Sequence, residues 1–78
     1  MGDYYYEIGV NPTGDIEDGY SIYVKTEAPL VGTEFDKLKY LIDHGHISES
    51  DAKDSMYVKT STKEAWEWAM QGQNKSKS

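Results

Sequence analysis

Ser21-Ile22-Tyr23-Val24-Lys25-Thr26 returns later in the chain as Ser55-Met56-Tyr57-Val58-Lys59-Thr60. Both copies alternate polar, apolar, aromatic, apolar, charged, which is the two-residue period of a strand with one buried face. Each is followed by a stretch with helical spacing. The two copies therefore read as the central strands of one small sheet. Helices are expected on the side of Ile22, Val24, Met56 and Val58, and Tyr23, Lys25, Tyr57 and Lys59 should point away from them.

Working outward, Asp3-Tyr4-Tyr5-Tyr6-Glu7-Ile8-Gly9-Val10 forms a further strand. Its inward set is Tyr4, Tyr6, Ile8 and Val10, the more apolar of the two alternations; Tyr5, Glu7 and Gly9 share the other face. Asn11-Pro12-Thr13-Gly14 is turn chemistry, with proline presetting φ and glycine allowing φ > 0. Asp15-Ile16-Glu17-Asp18-Gly19 completes a long acidic hairpin loop. Its three carboxylates depart from the calcium-loop pattern and no helix precedes them, so a solvated turn is expected rather than a metal site.

Pro29 stops the second strand's continuation, and Thr33 opens a helix. Thr33-Glu34-Phe35-Asp36 has the form of a capping box with a shortened acidic partner. Phe35, Leu38, Leu41 and Ile42 fall on one stripe that should face the sheet, with Tyr40 opposite and exposed. His44-Gly45 ends the helix, with the glycine left-handed. Ser48 then caps a short helix, and Ile47 can staple against Ala52. The run Leu38-x-x-Leu41-Ile42-x-x-Gly45-x-Ile47-Ser48 resembles the helical hairpin of short oligomerisation domains of the SHOCT type. The leucines expected in that family's second helix are missing here, and no residue role is carried over.

After the second copy, Ser61-Thr62-Lys63-Glu64 reads as a complete capping box with Ser61 as N-cap. The helix it opens should end at Gly72, with Thr62, Ala65, Trp66, Ala69 and Met70 as its apolar arc. Trp68 lies about 200° around the helix from Trp66, so Trp66 is expected inside and Trp68 at an edge or exposed. Residues 1–72 form one domain, and residues 73–78 read as a disordered polar tail. The whole is an α+β fold: a three-stranded, mainly antiparallel sheet with two to three helices packed on one face, in ββααβα order.

Charge narrows the function. The chain of 78 residues has a net charge of −6, no arginine and no cysteine. Six lysines against all 14 acidic side chains leave residues 1–72 at −8. A field of that sign repels nucleic acid, which is held by lysine and arginine at its phosphates. Without cysteine there are no disulfides and no thiolate metal sites. The longest apolar run is too short for a membrane span and the N-terminus lacks a signal-peptide layout. A cytoplasmic location is expected, the host cytoplasm for a phage-encoded protein, with no membrane partner.

No catalytic constellation stands out. There is no nucleophile elbow and no phosphate-cradling glycine loop. The two histidines, in Asp43-His44-Gly45-His46, read as a helix C-cap rather than as ligands. No enzyme activity, cofactor or metal is expected. Binding remains, and two surfaces qualify. One is an acidic rim of Asp15, Glu17, Asp18, Glu49, Asp51 and Asp54. The other is the outer sheet face, Tyr5, Tyr23 and Tyr57 with Glu7, Lys25 and Lys59; Trp68 on the last helix is a further candidate binding residue.

In size, charge and architecture the chain is similar to phage and mobile-element inhibitors of host defence, the anti-CRISPR and DNA-mimic antirestriction proteins. That resemblance implies a small acidic inhibitor occupying a basic surface of a larger protein or protein–nucleic acid complex, with carboxylates imitating phosphates. The alternative is a structural or oligomerisation module, a homodimer for example, using the tyrosine face or a sheet edge. Direct single-strand binding has a stacking platform but the wrong charge.

Overall fold

The computed structural model describes residues 2–76, with side chains through Gln71. Strand β1 (Tyr4–Val10) lies between β2 (Tyr20–Thr26) and β3 (Ser55–Thr60). Both pairings are antiparallel. Helix α1 (Glu34–Asp43) and the short α2 (Glu49–Lys53) precede β3, and α3 (Lys63–Ser76) follows it. This is the α+β fold and the ββααβα order that the sequence predicts.

The repeated phrase supplies the two edge strands, not the centre. β1 has Tyr6, Ile8, Gly9 and Val10 buried and carries no lysine. Each copy of the phrase carries a lysine, a residue that suits an exposed sheet edge. The copies are also offset against β1. Ile8 is opposite Ile22 and Val58, whereas Glu7 is opposite Tyr23 and Lys59, and Gly9 is opposite Ser21 and Tyr57.

The core consists of Tyr6, Ile8, Val10, Val24, Leu30, Leu41, Ile47 and Val58. Val24 and Val58 face it as their alternation requires, and Ile22 packs against it half-buried. Met56 does not face it and is 63% exposed. The register between β1 and β3 shifts there: Gly9 pairs with Tyr57, but Val10 pairs with Ser55. Met56 is thus the extra residue of a β-bulge, which removes it from the inward alternation. Tyr4, also predicted inward, is at the start of β1 and remains exposed.

Helix α1 begins with the predicted capping box. Thr33 Oγ1 accepts from the Asp36 N–H, and Asp36 Oδ2 accepts from the Thr33 N–H. Its C-terminus is a Schellman turn. Gly45 takes φ 77°, its N–H donates to the Ile42 carbonyl, and the His46 N–H donates to the Leu41 carbonyl at 2.8 Å. The His44 Nδ1 lies 2.9 Å from the Tyr40 carbonyl oxygen, and its ring stacks on Tyr40. Tyr40 is therefore half-buried, not exposed as its helical position suggests.

Burial along the α1 stripe is graded. Leu41 is fully buried, Leu38 and Ile42 are half-buried, and Phe35 is 74% exposed. The C-terminal half of the helix seats on the core while its first turn does not; Leu30, from the preceding loop, is buried in the core, its N–H donating to the Tyr6 hydroxyl at 2.8 Å. In α2, Ser48 Oγ accepts from the Asp51 N–H as an N-cap should. Ile47, immediately before it, is in the core, and Ala52 packs against the same cluster.

Helix α3 starts one residue later than its predicted capping box. The Ser61 N–H still donates to the Tyr5 carbonyl, continuing the sheet, so Thr62 becomes the N-cap and accepts from Ala65. The helix then runs through Gly72, its predicted end, to Ser76. One internal glycine costs only about 1 kcal/mol relative to alanine. The last two residues of the predicted tail lie outside the described residues.

Helix α1 supplies Leu41 to the core and α2 packs Ala52 against it, whereas none of the described side chains of α3 belongs to the core or packs against it. Trp66 is half-buried instead on the outer sheet face, 5.9 Å from the Tyr5 ring, with Lys25 Nζ 4.8 Å from its centroid. Lys25 thus meets a helix rather than pointing away from all of them. Trp68 is 70% exposed, as its angular position requires. Trp66→Ala is expected to cost about 1–3 kcal/mol through the lost aromatic and cation–π contacts, and Trp68→Ala less than about 0.5 kcal/mol. Urea denaturation of both variants checks this; equal losses would contradict the placement of α3.

Candidate interaction surfaces

The acidic loop is tightly organised. Asn11 Oδ1 accepts from the Gly14 N–H at 2.7 Å and from the Thr13 N–H, and Gly14 takes φ 89°. Asn11 Nδ2 donates across the loop to the Asp15 carbonyl, and Thr13 Oγ1 donates to Asp18 Oδ2 at 2.6 Å. Residues Ile16–Asp18 form one turn of 3-10 helix. Asp18 thus helps hold the loop. Asp15 and Glu17 point to solvent, and Ile16 between them is 94% exposed.

Two long-range bonds bring this loop and α2 to the same end of the sheet. The Tyr20 hydroxyl donates to Asp51 Oδ1 at 2.5 Å, and the Asn11 N–H donates to the Asp54 carbonyl at 3.0 Å. Tyr20 follows the loop and Asn11 begins it, so both ends of the loop that carries Asp15, Glu17 and Asp18 are tied to α2 and its C-cap, which carry Asp51 and Asp54. Glu49 is placed differently, at the mouth of a cleft between α1 and α2. Among the described residues, no group of three or more His, Asp or Glu side chains is arranged to hold a metal ion.

The Tyr20–Asp51 bond has a pH signature. Donation from Tyr20 holds the Asp51 carboxyl below the ordinary aspartate range, and the same bond raises the Tyr20 phenol. A lowered carboxyl contributes stability at pH above its unfolded value and loses it as pH falls through the native one. A raised phenol contributes below its unfolded value and loses it as pH rises through the native one. The bond is therefore intact across neutral pH and weakens at both extremes. Tyr20→Phe should move the Asp51 titration, followed by carboxyl NMR, upward toward the ordinary value. An unchanged titration would mean the bond does not persist in solution.

The tyrosine face is largely engaged within the molecule. Glu7 lies at its centre, accepting from the Tyr57 hydroxyl at 2.7 Å and from Ser21 Oγ at 3.3 Å, with Lys59 Nζ 3.9 Å away. The bond to Glu7 raises the Tyr57 phenol. Tyr5 is packed against Trp66, and Lys59 lies 5.2 Å from the Tyr57 centroid. Tyr5, Tyr23 and Tyr57 are all half-buried. Of the four aromatic residues singled out from sequence, Trp68 alone is exposed, on the helix rather than on the sheet.

Sequence reasoning missed Ile16, Phe35 and Met56 as surface groups. Only Ile16 carried a signal, an isolated aliphatic residue among loop carboxylates. No protein-family model, curated protein or solved structure matches this chain.

Proposed function

We propose that this chain is a non-enzymatic binding protein whose acidic end docks on a basic surface of a larger protein or protein–nucleic acid complex. The observation that carries the reading is that the loop bearing Asp15 and Glu17 is tied at both ends to the Asp51–Asp54 region, by the Tyr20–Asp51 and Asn11–Asp54 bonds. Carboxylates held at one end of a small sheet are pre-organised, so little ordering is left to be done on binding. Spaced charges of this sign imitate phosphates, and they steer encounter with a basic groove. In biological terms this is an inhibitor of host defence of the anti-CRISPR or antirestriction kind, acting in the cytoplasm of a host cell.

The test starts with affinity capture and mass spectrometry, which should return a large basic nuclease or nucleic-acid complex. Asp15→Lys with Glu17→Lys, and separately Asp54→Lys, should then slow association by about tenfold or more. Rising salt should slow the native protein in the same direction. Asp18 and Asp51 are left intact because each holds a structural hydrogen bond. Unchanged association in both variants, or submicromolar binding of the chain itself to DNA or RNA in a mobility shift, would overturn the reading.

A further inference from the structure

We propose that this protein pairs with a second copy of itself across the cleft between α1 and α2, the Phe35 of each copy seated in the cleft of the other. The cleft has a volume of about 480 Å³ and an apolar floor of Leu38, Ile42 and Ala52, with Phe35 standing at its side. Phe35 is 74% exposed although it continues the stripe that Leu38 and Leu41 bury. A phenyl ring left in water at the edge of an apolar hollow is the anchor-and-pocket arrangement that concentrates binding energy at interfaces.

Charge identifies the occupant. The rim carries Lys39 and Lys53 with Asp43 and Glu49, a neutral set on a chain whose net charge is −6. Among the described residues the one ion pair is Lys59–Glu7, so none of the four rim charges is within ion-pair distance of another described residue. A strongly basic partner would meet Lys39 and Lys53, and an acidic one Asp43 and Glu49. A two-fold contact brings the same patch to itself, and lysines of one copy can then face carboxylates of the other. Size points the same way. Among the described residues the core has eight buried apolar side chains and no metal-binding group, and the chain has no cysteine. Oligomerisation is one of the reinforcements open to so small a fold.

Sedimentation equilibrium of the full chain, from micromolar to millimolar concentration, should show a monomer–dimer equilibrium. Phe35→Asp, at an exposed position, should leave the circular dichroism spectrum unchanged and raise the dissociation constant by about thirtyfold or more, as loss of an interface anchor does. Two charge variants then test the geometry. Lys39→Glu with Lys53→Glu, and Asp43→Lys with Glu49→Lys, should each fail to self-associate, and an equimolar mixture should recover a dimer. A native chain that stays monomeric throughout overturns the proposal. So does a dimer that Phe35→Asp leaves intact, which would put the contact at a sheet edge, and so does a mixture that remains monomeric. Phe35 is outside the acidic end, so the outcome is independent of whether that end binds a basic partner.

Discussion

Leu41→Ala is expected to lower the unfolding free energy by about 2–5 kcal/mol, the range for truncating a fully buried leucine. A domain of this length holds only about 4–12 kcal/mol in total, so the variant should be largely unfolded at moderate denaturant concentrations. The size of the effect follows from where Leu41 sits. It has no exposed surface, and among the α1 residues it is the one that belongs to the buried core. The backbone of the same residue closes the helix, its carbonyl accepting from the His46 N–H at 2.8 Å and from the Ile47 N–H at 3.4 Å. Alanine leaves those bonds possible, so the loss reports the buried side chain, its lost burial together with the cavity left behind. Leu41→Met, which conserves volume, should cost less than about 1.5 kcal/mol. Urea melts with unchanged slope and shifted midpoint would establish the difference. A loss below about 1 kcal/mol for the alanine variant would mean that α1 does not rest on the sheet through this residue.

Most of the fold is legible in the sequence because period and capping chemistry act locally. The alternation in Ser21–Thr26 and Ser55–Thr60 marks two strands, and Thr33 with Asp36 marks a helix start whose two reciprocal bonds are both present. What was not legible depends on tertiary register. Met56 has the inward parity of its strand, but the shift between Gly9 and Val10 turns it out. Phe35 has the right helical angle, but the first turn of α1 does not seat on the core. Trp66 is on the less exposed side of its helix, as its angle predicts, yet that side meets Tyr5 and Lys25 rather than the core. Angle around a helix can be read from sequence; the sheet face on which the helix lands cannot. The same holds for the candidate site. The two acidic clusters are visible as composition, whereas their approach rests on Tyr20 and Asn11, whose bonds span 31 and 43 residues of chain.

Gly9→Ala should be strongly destabilising for a change of one methyl group. A Cβ built on Gly9 falls 2.2 Å from Tyr57 Cε2 and 2.4 Å from Cζ, far inside contact distance. Gly9 and Tyr57 are paired across β1 and β3, and the tyrosine ring lies flat over the glycine. This is how an aromatic side chain covers the gap that a glycine leaves in a sheet. The ring cannot yield without consequence, because its hydroxyl is bonded to Glu7 Oε2 at 2.7 Å. Moving it weakens a bond to a carboxylate that is only 17% exposed. Overpacking of this kind costs about 1–3 kcal/mol, and leaving a charged group short of a donor adds to that. Alanine is otherwise harmless here, since the backbone has no positive φ to forbid a side chain. Removing the obstacle should therefore rescue the variant. Tyr57→Ala alone should destabilise, and adding Gly9→Ala to it should cost little more or restore some stability. A double-mutant cycle by urea denaturation reads this as a coupling of about 1 kcal/mol or larger. Additive losses would show that the Tyr57 ring is not held over Gly9 in solution, and that the Glu7 network does not fix the outer face of the sheet.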